Sequence, residues 1–99
     1  MHYFYVLHCR DNTLYAGYTK DLTRRLAEHN LGKGAKYTRP MSRRPATMIF
    51  AKRYLSRSAA MKAEYAFKQL PRREKELYLK TEPLSCTLPN VHIDYSQVD

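Results

Sequence analysis

Five side chains of this 99-residue chain have the types and spacing to work on a phosphate group. Tyr5 and Tyr15 stand ten residues apart, Arg25 lies ten beyond Tyr15, and His29 four beyond Arg25. Glu64 follows within Ala63-Glu64-Tyr65. Hydrolysing a phosphodiester requires an activated water, neutralised charge on the phosphoryl group and a stabilised leaving oxygen. Arg25 offers a permanent, fork-shaped cation that matches phosphate oxygens. His29 titrates close to working pH and is a candidate proton handler. A single hard carboxylate such as Glu64 suits Mg²⁺ or Mn²⁺, with waters and phosphate oxygens completing the shell.

Those residues need elements to hold them. Residues 3–9, dense in aromatic and aliphatic side chains, read as a strand. Arg10-Asp11-Asn12-Thr13 is turn chemistry, and residues 14–18 return as a second strand. Thr19 or Asp21 caps a helix to about Asn30, with Leu22 and Leu26 inward, and Gly32-Lys33-Gly34 ends it. Residues 33–45 read as an irregular loop, broken by Pro40 and Pro45, and residues 47–51 as a third strand. Ser56 or Ser58 starts a second helix to about Leu70, with Ala60, Ala63, Phe67 and Leu70 on one face. Pro71 restarts a short third helix carrying Leu77 and Tyr78. The order β-β-α-β-α-α predicts an α/β domain, a small, mainly antiparallel three-stranded sheet flanked by helices.

The two tyrosines, Arg25, His29 and Glu64, in this order and on these elements, resemble the GIY-YIG nuclease domain. Its two triplets read Tyr3-Phe4-Tyr5 and Tyr15-Ala16-Gly17 here, and the likeness runs over residues 3–79. It is nearest to the small stand-alone bacterial members, which share a stretch like Gly32-Lys33-Gly34-Ala35-Lys36. The resemblance implies that Glu64 holds the metal and that Tyr5 helps to activate the water. Holding a phenol ionised near pH 7 costs about 4 kcal/mol. Arg25, the metal and the positive potential would have to supply that stabilisation; otherwise Tyr5 only orients the water. Many members carry an Asn 12 to 15 residues past the metal-binding Glu. Glu76 and Leu79 occupy that range here, so no residue takes that role.

Strand alternation adds a geometric condition. Tyr5 and Tyr15 share a face only if the hairpin loop is odd in length, as with Arg10-Asp11-Asn12. An odd loop is therefore predicted.

Charge indicates the partner. The chain has 18 Lys and Arg against 9 Asp and Glu, a net +9. All 18 bases lie in residues 1–80 beside six acids, giving +12. Residues 81–99 form an acidic tail of −3, with Glu82, Asp94, Asp99 and no base. A near-neutral metabolic enzyme does not fit, whereas a polyanion such as DNA (ahead of RNA) does. The expected phosphate-contacting surface comprises Lys20, Arg24, Lys33, Lys36, Tyr37, Arg39, Arg43 and Arg44. No apolar run spans a bilayer and no signal-peptide pattern opens the chain, so no membrane role and a cytoplasmic location are expected. Cys9 and Cys86 make neither a zinc framework nor a disulfide scaffold. Cys9 is expected to be a small buried residue, and His2, His8 and His92 to be structural.

The leading expectation is a metal-dependent endonuclease of DNA, structure-selective and serving repair or recombination. Its length leaves no room for a separate recognition region, so target choice would fall to a protein partner. A non-catalytic basic binding module with the same fold is the alternative, and a protein docked through its acidic tail is a third. Each residue also has a plainer reading. Tyr5 and Tyr15 suit any strand, Arg25 could be one more solvated cation, and His29 could complement a helix end. Glu64 could simply pair with Lys62 or with Lys68, the latter four residues on.

Overall fold

A computed structural model describes residues 1–81 of the chain. The expected order of elements is present. Strands β1 (His2–His8), β2 (Leu14–Thr19) and β3 (Thr47–Tyr54) and helices α1 (Leu22–Asn30), α2 (Arg57–Lys68) and α3 (Arg72–Thr81) follow in the order β1-β2-α1-β3-α2-α3. β1 lies central in an antiparallel sheet of order β2-β1-β3. Because both its faces are covered, Phe4, Tyr5, Val6 and Leu7 are all buried rather than alternating. The acidic tail, with His92, lies outside the described residues.

Each face has its own core. Phe4, Val6, Ile49, Phe50, Phe67 and Leu79 pack on the side of α2 and α3. Tyr5, Leu7, Cys9, Leu22, Met48 and Ala51 pack on the side of α1 and the long loop. β3 runs three residues beyond the expected end and contains a bulge opposite Val6 and Leu7. The extra residue sets Ile49 and Phe50, adjacent in sequence, into the same core. No period-two reading shows that. On α3, Tyr78 and Leu79 face inward, while Leu77 is exposed.

The hairpin loop is odd, as expected. Cys9 N–H donates to the Thr13 carbonyl at 2.8 Å and Asn12 N–H to the Cys9 carbonyl at 2.9 Å, with Asn12 left-handed at φ 69°. That is a three-residue loop, Arg10-Asp11-Asn12. It pairs Tyr5 with Gly17 and Leu7 with Tyr15, so both tyrosines share the α1 face. Two arginines pin the tip from either side. Arg43 Nε donates to Asp11 Oδ2 at 3.0 Å and Arg72 Nη1 to the Asn12 carbonyl at 2.7 Å.

Helix ends follow local chemistry. Asp21 caps α1 by accepting from Arg24 N–H at 3.1 Å, and Ser56 caps α2 by accepting from Ala59 N–H at 3.1 Å. At the other end of α1, Lys33 N–H bonds the Glu28 carbonyl at 2.9 Å and Gly32 N–H the His29 carbonyl at 3.1 Å. Gly32, at φ 77°, provides the left-handed reversal that this Schellman closure requires. Lys75 N–H donates to the Pro71 carbonyl at 3.0 Å, so the proline stands just before α3. Removing the caps by Asp21→Ala or Ser56→Ala should each cost about 1 kcal/mol of unfolding free energy. Urea denaturation measures this, and an unchanged midpoint would mean that the cap adds nothing.

Candidate active site

Four of the five candidate residues meet at one point, and the fifth reaches it from the other side of the sheet. Tyr5 projects from β1 across its neighbour Gly17 on β2. A Cβ at Gly17 would overlap the phenol, 2.5 Å from Cζ and 2.9 Å from Cε2, so the third residue of the second triplet is the seat of the first tyrosine. The Tyr5 hydroxyl meets His29 Nε2 at 2.7 Å and accepts from Arg25 Nε at 3.4 Å. One turn of α1 separates those two partners, which places both on one helix face. Tyr15 packs edge-on to His29, with ring centroids 5.3 Å apart, and stacks on Tyr37 at 5.6 Å.

Burial sets the protonation of the pair. Tyr5 and His29 have no solvent exposure. Burial pushes the phenol well above its ordinary value, against the hydrogen bond from Arg25. It pulls the imidazole from 6.5 to about 4, with the Arg25 charge adding to the effect. Both groups are therefore neutral at pH 7, and Tyr5 does not stand ready as a phenolate. A solvent molecule also cannot touch its hydroxyl unless a neighbour moves. Arg25 is the partly exposed one, at 29% of its side chain.

Arg25 is oriented by Glu28, whose Oε1 accepts from Nη1 at 3.2 Å. That bond, first among its causes, holds the Glu28 carboxyl below its usual range. Glu64 on α2 lies near enough for its charge to act on Tyr5. Its side chain is 14% exposed and pairs with Lys68, Nζ to Oε2 at 2.7 Å. The plain i,i+4 pairing is thus present together with proximity to the site. The Lys68 Nζ lies 5.8 Å from the centroid of the Tyr15 ring.

The basic surface divides in two. Lys20, Arg24, Lys33, Lys36 and Arg39 are exposed. Lys20, Arg24 and Arg25 line a cleft of about 360 Å³ with Tyr18, Thr19, Asp21 and Glu28. Arg43 and Arg44, expected on phosphates, are instead engaged within the protein. Arg43 bonds Asp11 and, at 2.9 Å, the Tyr37 carbonyl, with its guanidinium 3.9 Å from the Tyr37 ring centroid. Arg44 donates to the Asn30 carbonyl at 3.4 Å. The Tyr37 ring thus contacts both Tyr15 and Arg43. His2 bonds the Tyr18 hydroxyl, His8 bonds Asn12, and Cys9 is buried.

Residues 1–78 match the GIY-YIG catalytic domain. The chain belongs to the GIY-YIG family. A UPF0213 protein of Enterococcus faecalis is 59% identical over 80 residues, covering 81% of this chain and 91% of the relative. The UPF0213 protein YazA of Bacillus subtilis is 54% identical over 79 residues, 80% of this chain and 78% of that one. Among solved structures, the solution structure of a UPF0213 protein from Bacillus halodurans superposes with a TM-score of 0.55 at 43% identity. It covers 82% of this chain and 84% of the other. GIY-YIG domains form a nuclease superfamily, typically dependent on a divalent metal and acting on nucleic acid. No described helix is long and apolar enough to cross a membrane.

The residues of this GIY-YIG site fit such a metal. Among the described residues no three His, Cys, Asp or Glu side chains come together, so no all-protein cage is formed. One partly exposed carboxylate, Glu64, is a donor of the kind that a largely hydrated Mg²⁺ or Mn²⁺ accepts.

The depressed His29 value has a measurable consequence. Below 6.5 the unfolded chain binds a proton that the folded imidazole refuses until about 4. Stability is complete above that window and declines through it as pH falls, by up to about 3 kcal/mol. His29→Gln should lack this part of the decline in urea melts. In wild-type NMR spectra the His29 ring should not titrate between pH 5.5 and 8, and a midpoint near 6.5 would contradict the buried neutral assignment.

Proposed function

We propose that the chain is a metal-assisted endonuclease of DNA in which the Tyr5–His29 pair takes up the proton of the attacking water. The observation that supports this most is the 2.7 Å contact between Tyr5 Oη and His29 Nε2, with Arg25 beside it. A buried phenol and a neutral imidazole in that contact can pass a proton along without a phenolate forming. As the water oxygen bonds to phosphorus, its proton passes to Tyr5 Oη while the Tyr5 proton passes to His29 Nε2. The bond from phosphorus to the leaving sugar oxygen breaks, and that oxygen keeps the electron pair and takes a proton from solvent. Tyr5 ends neutral and His29 ends as imidazolium, so the cost of a free phenolate is not incurred.

Arg25 has two duties in this reading. Its guanidinium turns outward to a phosphate oxygen, which opens the Tyr5 hydroxyl to the water and neutralises charge on the phosphoryl group. Glu64 would hold the Mg²⁺ or Mn²⁺, which when bound polarises the phosphate and stabilises the leaving oxygen. Tyr15 packs against the edge of His29 and keeps its ring in place. The exposed Lys20, Arg24, Lys33, Lys36 and Arg39 hold the backbone to either side, without reading bases. With contacts of that kind, selection rests on DNA structure, as at a branch or nick in repair or recombination, or on a partner protein. A cytoplasmic location accords with that role.

The non-catalytic reading has one observation in its favour, the complete enclosure of the Tyr5 hydroxyl. Labelled duplex, single-stranded and branched DNA, and RNA, incubated with Mg²⁺, Mn²⁺ or chelator, separate the two. We expect metal-dependent cleavage of DNA, lowered roughly 10²–10³-fold by Glu64→Ala or Arg25→Ala, with DNA binding retained in Glu64→Ala. Binding without cleavage under every condition would favour the binding module. If the five exposed cations make the phosphate contacts, log Kd should change with log salt with a slope magnitude of about 4 to 5 on duplex DNA. A flat salt response would remove that surface from the interface.

A further inference from the structure

Thr38 was not among the candidate residues, yet it touches the other nitrogen of the His29 ring. Its Oγ1 lies 2.6 Å from His29 Nδ1, and neither residue has solvent exposure. The local chain is built for this contact. After the reversal at Gly32, the segment folds back so closely that a Cβ at Gly34 would sit 2.5 Å from His29 Nδ1 and 2.8 Å from Cγ. Thr38 N–H donates to the Ala35 carbonyl at 3.2 Å, and its hydroxyl closes the same turn, 3.2 Å from that carbonyl.

Counting protons fixes the direction of every bond in this buried chain. A neutral imidazole carries one N–H. Were it on Nε2, it would donate to Tyr5 Oη, which already accepts from Arg25. The Tyr5 O–H would then have no acceptor among the described residues. The Thr38 proton would be drawn to Nδ1 and away from the Ala35 carbonyl. With the N–H on Nδ1 the conflict disappears. Nδ1–H donates to Thr38 Oγ1, the Thr38 O–H donates to the Ala35 carbonyl, and the Tyr5 O–H donates to Nε2. A buried donor without a partner costs about 1–3 kcal/mol, enough to choose between the two forms.

We propose that Thr38 is the positioning residue that receives the His29 Nδ1 proton and so holds the ring with Nε2 facing Tyr5 as an acceptor. The proposal deepens the proton-transfer reading above and rests on it for its catalytic meaning, though not for its geometry. The loop bearing Lys36 and Arg39 thus also carries the residue that orients the site's base.

Long-range ¹H–¹⁵N spectra of the His29 ring test this directly, with His29→Gln used to assign its signals. In the wild-type protein the ring should be the neutral Nδ1–H form. Thr38→Val keeps the shape and removes the acceptor. The ring should stay Nδ1–H, because the Nε2–H form would strand both Nδ1 and the Tyr5 O–H, but its Nδ1–H signal should move upfield as the hydrogen bond is lost. Thr38→Ser should restore the wild-type position. A wild-type ring protonated on Nε2, or a Thr38→Val ring whose Nδ1–H signal does not move, overturns the proposal; the wild-type spectrum decides even if Thr38→Val does not fold. Under the proton-transfer reading, Thr38→Val should also lower kcat about 10²–10⁴-fold at unchanged DNA affinity, with Thr38→Ser rescuing it. A lost Nδ1–H bond with unaltered cleavage would uphold the anchor and refute the proton-transfer reading instead.

Discussion

Two rings with polar atoms, Tyr5 and His29, are packed without solvent between β1 and α1, and each must find hydrogen-bond partners inside the protein. Much of the local architecture follows from that demand. Gly17 is small because the Tyr5 ring lies over it, and Gly34 is small because the loop presses on His29. The odd hairpin loop brings Tyr15 to the same face, where it supports the His29 edge. The Schellman closure of α1 turns the chain back in time for Thr38 to reach Nδ1 nine residues after His29. An apolar pair at these positions would pack with fewer constraints. It would have no proton to pass.

The same accounting separates the cations. Backbone carbonyls at loop ends lack partners in regular structure, and arginine, with several donors on one plane, can satisfy them while keeping a second contact. Arg43 does so for Tyr37 and Arg72 for Asn12, while Arg44 donates to the Asn30 carbonyl alone and leaves its buried Nε without a partner among the described residues. Arg43 and Arg44 come from residues 33–57, which hold eight bases and no acid. The exposed cations before them, Lys33, Lys36 and Arg39, stand on the part of the loop that carries Thr38. Net charge along the sequence measures attraction to a polyanion and is silent on which arginines the fold has already used.

What the sequence made legible was the part governed by local rules. Caps at Asp21 and Ser56, the stop at Gly32 and the odd turn at Arg10-Asp11-Asn12 depend on a few neighbouring residues, and they stand where expected. The family resemblance, carried by residue order, brought Tyr5, Tyr15, Arg25 and His29 to one place. The bulge in β3 was not legible, because Ile49 and Phe50 look alike whichever face they take. Nor was Thr38, a threonine in a polar loop with nothing local to single it out. Its nearest signal was Gly34, a glycine with a negative φ, which only close approach explains. The internal bonds of Arg43 and Arg44 were not legible for the same reason: both reach backbone carbonyls, which no side-chain code records.

Each reactive group in the resting site already holds a partner of the kind a substrate would supply. Arg25 rests on the Glu28 carboxylate where a phosphate would bind, and Glu64 on the Lys68 ammonium where a metal ion would bind. Tyr5 is enclosed beside both. Under the proposed reading, substrate and metal therefore replace existing ionic contacts instead of meeting bare charges. Such exchanges change the free energy far less than creating or stranding a buried charge would. The metal-free protein then stays folded and satisfied, because neither Arg25 nor Glu64 is left uncompensated. The opposing consequence is that neither ligand alone rearranges the site by much. A phosphate that draws Arg25 outward leaves Glu64 with Lys68, and a cation at Glu64 leaves Arg25 over Tyr5. Only a substrate that brought its phosphate and the metal to the same place would displace both partners, so that the Tyr5 hydroxyl opened by Arg25 would meet water with the metal in place and Nε2 of His29 behind it.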